Sequence, residues 1–177
     1  LEVRCVTTSV RSEKLAKELK IPTFALAEVS AFDIAFDGAD EVTDDLQLTK
    51  GLGGALLRER VVAYAAARFI ILITPEKRVA KLGTRAPIPV AVVPFAVPVV
   101  VGAMQKLHSE PRLRETDGKP FVTDNGNHIL DVHVDPLDDP ERFDAALRAI
   151  PGVVDTGLFL HMAERAFVGG DANVAVI

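Results

Sequence analysis

Four short segments of this 177-residue chain carry side chains that could do chemistry together. Asp37-Gly38-Ala39-Asp40-Glu41 offers carboxylates on a turn. Lys50-Gly51-Leu52-Gly53-Gly54 offers a cation on a glycine loop, and Glu59 stands on the helical stretch that follows. Thr74 and Lys77 come after an apolar run. A glycine loop before a helix N-terminus presents unpaired N–H groups and the positive end of the helix dipole, a setting that favours an anion. Its glycines let the backbone come close to a ligand. If the acidic turn, the glycine loop and the Thr74–Lys77 segment share one edge of a sheet, they suit a small, hydroxyl-rich, negatively charged substrate such as a sugar phosphate.

Each segment also has a plainer reading. Asp44 and Asp45 read as solvated turn residues. The acidic spacing does not match an EF-hand, and the glycine loop is neither G-x-G-x-x-G nor a P-loop. Lys77, between Glu76 and Arg78, has the surroundings of an ordinary surface charge. Glu59 is balanced between two readings. On a helical wheel Leu56, Leu57, Val61 and Tyr64 gather on one side, and Glu59 points away among Ala55, Val62, Ala63 and Ala66. Periodicity alone favours an exposed carboxylate. The other reading is a small-residue face lining a cleft, where desolvation would raise the Glu59 pKa toward that of a general base. His108, His128, His133 and His161 lack metal-ligand spacing, no Ser-His-Asp or Cys-His-Asp set is visible, and Met104 and Met162 read as core. We expect neither a metal site nor a catalytic triad.

The elements that must bring these segments together follow a βα alternation in the first half. Residues 3–6 and 32–36 read as strands, with a helix capped by Ser9 or Ser12 between them. A helix over 55–68 leads to Phe69-Ile70-Ile71-Leu72-Ile73, an unalternating run typical of a parallel strand covered on both faces. In a parallel sheet, ligands bind beyond the carboxyl ends of the strands, where Asp37, Asp40, Thr74 and Lys77 would fall. Pro87, Pro89, Pro94 and Pro98 mark a crossing into a second region. There we expect a helix over 99–108, strands over 112–115 and 121–123, and an Asn125-Gly126 turn into a strand over 128–134. A helix from Pro140 and a strand over 153–160 complete it. The expected fold is α/β: a Rossmann-like parallel-sheet lobe (1–88 and 161–177) with a smaller ferredoxin-like α+β lobe (89–160).

Composition removes other classes. Twenty Lys and Arg against 25 Asp and Glu give a net charge of −5, with no field or basic run to hold nucleic acid. The apolar stretch 88–104 is broken by prolines and falls short of the roughly 20 residues of a spanning helix, so no membrane partner is expected. Cys5 is alone, which fits a reducing cytoplasm. The chain opens at Leu1 with no secretory leader, and the missing initiator Met suggests a start partway into a longer protein.

Asp37-Gly38-Ala39-Asp40-Glu41, Lys50 to Ala55 and Arg58-Glu59 together resemble ribose-5-phosphate isomerase, type A. Segments 122–127, 150–154 and 157–159 resemble the same family, so the likeness covers nearly the whole chain. It implies interconversion of ribose 5-phosphate and ribulose 5-phosphate in the non-oxidative pentose phosphate pathway, without metal or cofactor, by a cytoplasmic homodimer or tetramer. By the resemblance Glu59 is the general base. Asp37, Gly38, Ala39, Asp40, Lys50, Gly51, Leu52, Gly53 and Lys77 contact the substrate, with Asp37, Asp40 and Lys50 also assisting the chemistry. Lys50 would serve either the phosphate or the oxyanion. Two departures stand out. The family's early Gly-Thr-Gly-Ser-Thr phosphate loop is missing from this sequence, which leaves open a chain inactive as it stands, or a non-catalytic sugar-phosphate-binding module on the same fold. Ala91 replaces a frequent acidic residue.

Overall fold

The computed structural model describes residues 3–29, 31–170 and 173–177. In chain order the elements are α1 (Val10–Glu18), β1 (Ala35–Asp37), β2 (Glu41–Val42), β3 (Leu48–Thr49), α2 (Leu56–Ala65), β4 (Phe69–Ile73) and β5 (Ile88–Val92). Then come α3 (Val97–Gln105), β6 (Glu110–Leu113), β7 (Glu115–Thr116), β8 (Lys119–Pro120), β9 (His128–His133), α4 (Pro140–Arg148), β10 (Val153–Thr156), β11 (Leu158–Phe159), β12 (Arg165–Gly169) and β13 (Val174–Val176). The expected mixed α/β class is what these elements build. Ser9 caps α1, its hydroxyl accepting the Ser12 N–H at 3.0 Å.

One sheet runs β1-β4-β12-β13. Its first three strands are parallel and β13 closes the edge antiparallel. β4 is central, and four of its five residues are buried; Leu72 is 52% exposed, so one face of the strand is only partly covered. A second sheet runs β10-β5-β9-β6 with every neighbour antiparallel. With α3 and α4 this is a β-α-β-β-α-β split unit, the ferredoxin-like arrangement. β5 lies inside it and is buried along its length despite Pro89. A core of Val42, Leu48, Leu56, Phe69, Ile71 and Phe159 serves the parallel sheet, and one of Ile88, Val90, Met104, Leu130 and Leu147 serves the antiparallel sheet.

Three expected elements differ. The strand over 3–6 reduces to a single bridge from Cys5 to Thr23. Residues 121–123 are not a strand: Thr123 closes the Asn125-Gly126 turn, accepting the Gly126 N–H at 2.9 Å and donating its own N–H to Asn127 O at 2.9 Å. β9 therefore pairs with β6. The strand over 153–160 divides at Gly157 into β10, on the antiparallel sheet, and β11, which joins β3 and β2 in a small third sheet. A side chain at Gly157 would meet the Lys50 carbonyl at 2.2 Å, so only glycine passes here. Its N–H donates to Pro89 O at 2.6 Å and its carbonyl accepts the Lys50 N–H at 2.8 Å. This crossing joins the two sheets directly beneath Lys50.

Candidate active site

Asp37 ends β1 at the carboxyl edge of the parallel sheet, and Lys50 follows β3. The Lys50 side chain is 3% exposed, and its Nζ lies 2.9 Å from Asp37 Oδ2 and 3.2 Å from Glu59 Oε2. It donates to Gly38 O at 2.7 Å and sits 5.5 Å from the centroid of the buried Phe159 ring. Three oxygens and an aromatic face thus surround one ammonium, an electrostatic setting that offsets the cost of taking its charge out of water.

Glu59 reaches this cluster from α2 and is 13% exposed. Helical periodicity turns Glu59 outward, and the structure reverses it. Leu56 and Ala63 are the buried positions of α2, whereas Tyr64, on the side richer in large apolar residues, is 87% exposed. Small residues on the Glu59 side let the helix lie close against the rest of the molecule, so packing overrode side-chain size. Burial pushes the Glu59 carboxyl above its ordinary value, and Asp37 and Asp40 add to that; Lys50 opposes it. Oε2 is buried and accepts no hydrogen bond, because the Lys50 ammonium at 3.2 Å stands outside hydrogen-bond geometry. The result is a charge-paired carboxylate with a free lone pair, the condition of a proton acceptor.

Asp40 faces the same space from the other side of the loop. Its N–H donates to Thr49 O at 2.7 Å, and its Oδ2 accepts the Leu52 N–H at 3.0 Å. Burial raises its pKa, opposed by the Leu52 hydrogen bond and then by the charges of Lys50, Lys77 and Arg114. Gly51 and Gly54 hold positive φ, and the Gly54 N–H donates back to Gly51 O at 2.9 Å, which curls the loop. Leu52 and Gly53 are exposed at its tip. Ala39, Thr74 and Lys77 line a groove of about 480 Å³ beyond the strand ends. Lys77 is half-buried at this rim and forms no ion pair among the described residues. Asp37, Asp40, Lys50 and Glu59 therefore converge, with Lys77 at their margin. A larger cavity of about 580 Å³ opens on another face of α2, among Val6, Phe24, Leu57 and Val61, and contains none of these groups.

Several supporting residues were not foreseen. Glu41, read as part of the acidic turn, is fully buried and accepts the N–H groups of Gly83 (2.7 Å), Arg85 (2.5 Å) and Ala86 (3.1 Å). It pins the crossing segment to β2 and takes no part in the Lys50 cluster. It opens the two-residue β2, both of whose residues are buried, so no alternation in the sequence marks it. Arg114, just after β6, donates through Nη1 to Gly51 O (3.0 Å) and Leu52 O (2.9 Å) and forks onto Asp131. Nothing in the sequence marks that link, because its ends are 62 and 63 residues apart. Ala91 is buried on β5 within the parallel-sheet core. Among the described residues no group of three or more His, Cys, Asp or Glu is arranged to hold a metal ion, and no helix is long and apolar enough to cross a membrane.

This geometry has close counterparts. A structure of ribose 5-phosphate isomerase A from Methanocaldococcus jannaschii superposes with a TM-score of 0.93 at 39% identity, covering 100% of this chain and 79% of that one. A D-ribose-5-phosphate isomerase solved in complex with phospho-erythronic acid gives a TM-score of 0.96 at 35% identity, covering 100% of this chain and 78% of that one. The fold and its relatives define an isomerase. Ribose-5-phosphate isomerase A of Roseiflexus castenholzii is 50% identical over 170 residues, 96% of this chain and 73% of that protein. The Deinococcus radiodurans protein of the same name is 45% identical over 169 residues, 96% and 74%. The family's sequence profile, Ribose 5-phosphate isomerase A (phosphoriboisomerase A), matches residues 4–173. The chain belongs to the ribose 5-phosphate isomerase A family.

Proposed function

We infer that the chain interconverts D-ribose 5-phosphate and D-ribulose 5-phosphate by moving one proton through an enediolate. The observation that carries the mechanism is the buried Glu59 Oε2, without a hydrogen bond and 3.2 Å from the Lys50 ammonium. In the aldose-to-ketose direction Glu59 takes the proton from C2, and the electron pair moves into the C1–C2 bond as the C1 carbonyl becomes an enolate oxygen. The same carboxyl returns the proton to C1 while the O2 proton passes to O1, so that O2 becomes the ketone oxygen and O1 the hydroxyl. Charge grows on the enediolate oxygens, and Lys50 is the fixed cation beside them. Its 3% exposure and its bonds to Asp37 and Gly38 support this use rather than phosphate binding. Asp37 and Asp40 orient hydroxyls and assist ring opening. Lys77, at the rim, reaches the phosphate end, and Gly38, Ala39, Gly51, Leu52 and Gly53 line the substrate.

In this reading residues 1–88 with 161–177 form the catalytic lobe and 89–160 the smaller one; residues 1, 2, 30, 171 and 172 lie outside the described set. The reaction belongs to the non-oxidative pentose phosphate pathway, in the cytoplasm. A homo-oligomer, dimer or tetramer, is supported by Phe95, just before α3, and Val99, in its first turn, which both stand exposed. Light scattering checks that state.

The test is turnover of ribose 5-phosphate by this chain in the presence of a chelator, beside Glu59→Gln. Turnover is expected with chelator present and reduced about 10³-fold in the variant, the middle of the range for general acid–base groups. A variant that kept most of the rate would move the base elsewhere. Substrate binding with no turnover in either protein would favour a sugar-phosphate-binding module.

A further inference from the structure

Arg114 belongs to the antiparallel-sheet region yet ends on the loop that carries the chemistry. Its side chain is 13% exposed, and its guanidinium is fixed in plane by a two-point pair with Asp131 on β9. The remaining nitrogen, Nη1, bridges two successive carbonyls, Gly51 O at 3.0 Å and Leu52 O at 2.9 Å. In a planar trans peptide the carbonyl and the following N–H point in opposite directions. Two adjacent carbonyls turned toward Arg114 therefore turn the Leu52 and Gly53 N–H groups away from it. The first of these N–H groups donates to Asp40 Oδ2 at 3.0 Å. The Gly51–Leu52 peptide is thus held at both ends, by Arg114 on its oxygen and by Asp40 on its nitrogen. Such a hold is needed here, because Gly51 at φ +102° imposes little rotational preference of its own.

We propose that Arg114 is a positioning residue for the reaction: by gripping the Gly51 and Leu52 carbonyls it fixes the loop peptides whose N–H groups orient Asp40 and face the substrate. Asp131 locks the plane of that grip. This rests on the isomerase reading of the same site. The charged groups bearing on Asp40 are Lys50 after β3, Lys77 after β4 and Arg114 after β6, with Glu59 on α2 coupled to it. Asp37 shares Lys50 with Glu59.

The experiment uses the full chain and the variants Arg114→Lys, Arg114→Met and Asp131→Asn. It has two readouts: kcat and KM for ribose 5-phosphate, and the pH titration of the Leu52 amide by NMR, which reports Asp40. Lysine keeps the charge but lacks the planar fork. Arg114→Lys should therefore still lose about 10- to 100-fold in kcat, the scale of a small misplacement of catalytic groups. Its Leu52 titration midpoint should move up, because Asp40 loses a well-aligned donor. Arg114→Met should show both effects more strongly, and Asp131→Asn more weakly. Arg114→Lys with the rate and midpoint of the unaltered chain overturns the proposal, since charge alone would then suffice. So does a folded Arg114→Met whose midpoint does not move. If Arg114→Met fails to fold, Arg114→Lys and Asp131→Asn decide by the same criteria. If the unaltered chain has no turnover, the isomerase reading is tested apart from this proposal, and the amide titration alone decides whether Arg114 sets Asp40.

Discussion

Glu59 and Arg60 are neighbours on one helix, and both enter buried clusters of charge, yet the clusters are built on opposite terms. Arg60 Nε meets Asp155 Oδ2 at 2.8 Å, and its Nη2 donates to Thr156 O (2.8 Å) and Leu158 O (2.9 Å). Its guanidinium stacks 4.0 Å from the Phe159 centroid. The other oxygen of Asp155, which is 2% exposed, accepts the Thr156 N–H at 2.9 Å and forms an ion pair with Arg148 Nη2 at 2.9 Å. Every polar end there has a partner, so the cluster ties α2, α4 and β10 together. The Lys50 cluster leaves Glu59 Oε2 without a hydrogen bond. Phe159 touches both clusters, carrying Arg60 closely and Lys50 at 5.5 Å. A satisfied buried network stabilises one arrangement, and an incomplete one keeps a group ready to react.

The contrast can be broken from either side. The largest effect should be the loss of turnover in Glu59→Gln, with the fold intact. A collapse of the fold in that variant would place Glu59 with Arg60 as a structural charge. Next is Asp155→Ala, which strands Arg60 and Arg148 in a buried site. It should cost about 3–5 kcal/mol in denaturant unfolding, the range for removing one partner of a buried pair. A loss under 1 kcal/mol would mean that water reaches the network. Its activity should fall only as far as the folded fraction does.

A smaller effect sharpens the comparison through pH. The Glu59 carboxyl binds its proton more tightly folded than unfolded, so its ionisation costs stability as pH rises from the ordinary value of 4.5 through the raised folded value. Glu59→Gln should therefore melt at or above the unaltered chain at neutral pH, and the advantage should vanish below pH 4.5. A lower melting temperature at neutral pH would show that the Lys50 pair outweighs burial. The smallest effect belongs to the exposed Arg68–Glu164 pair, 2.7 Å apart. Arg68 pulls the Glu164 carboxyl down to about 2. Whatever stability it contributes is present above the unfolded value of 4.5 and is lost as pH falls toward 2. Glu164→Gln should leave the neutral-pH melting curve nearly unchanged, as solvent screens such pairs; a clear drop would rank it with Asp155.

The local elements with strong patterns were legible in the sequence. The run Phe69–Ile73 specified a buried parallel strand, Ser9 a helix cap, and Pro140 the first turn of α4, whose Asp139 cap accepts the Arg142 N–H at 2.9 Å. The α/β class, the family and the grouping of Asp37, Asp40, Lys50 and Glu59 on one edge followed from residue types, order and motif resemblance. What sequence could not settle was direction. Helical periodicity turned Glu59 outward, because it weighs side-chain size, whereas the contact is decided by how closely a small-residue face can approach. Glu41 looked like a turn carboxylate until three backbone N–H groups more than 40 residues away closed on it. The strand over 153–160 was one continuous pattern until Gly157 passed it from one sheet to another. Arg114 had no local mark at all. The sequence by itself determined which groups this protein carries and the family chemistry they suit. Only the tertiary structure decided that Glu59 turns inward to Lys50, and which distant arginine holds the loop beside it, because both depend on contacts between segments that local pattern does not encode.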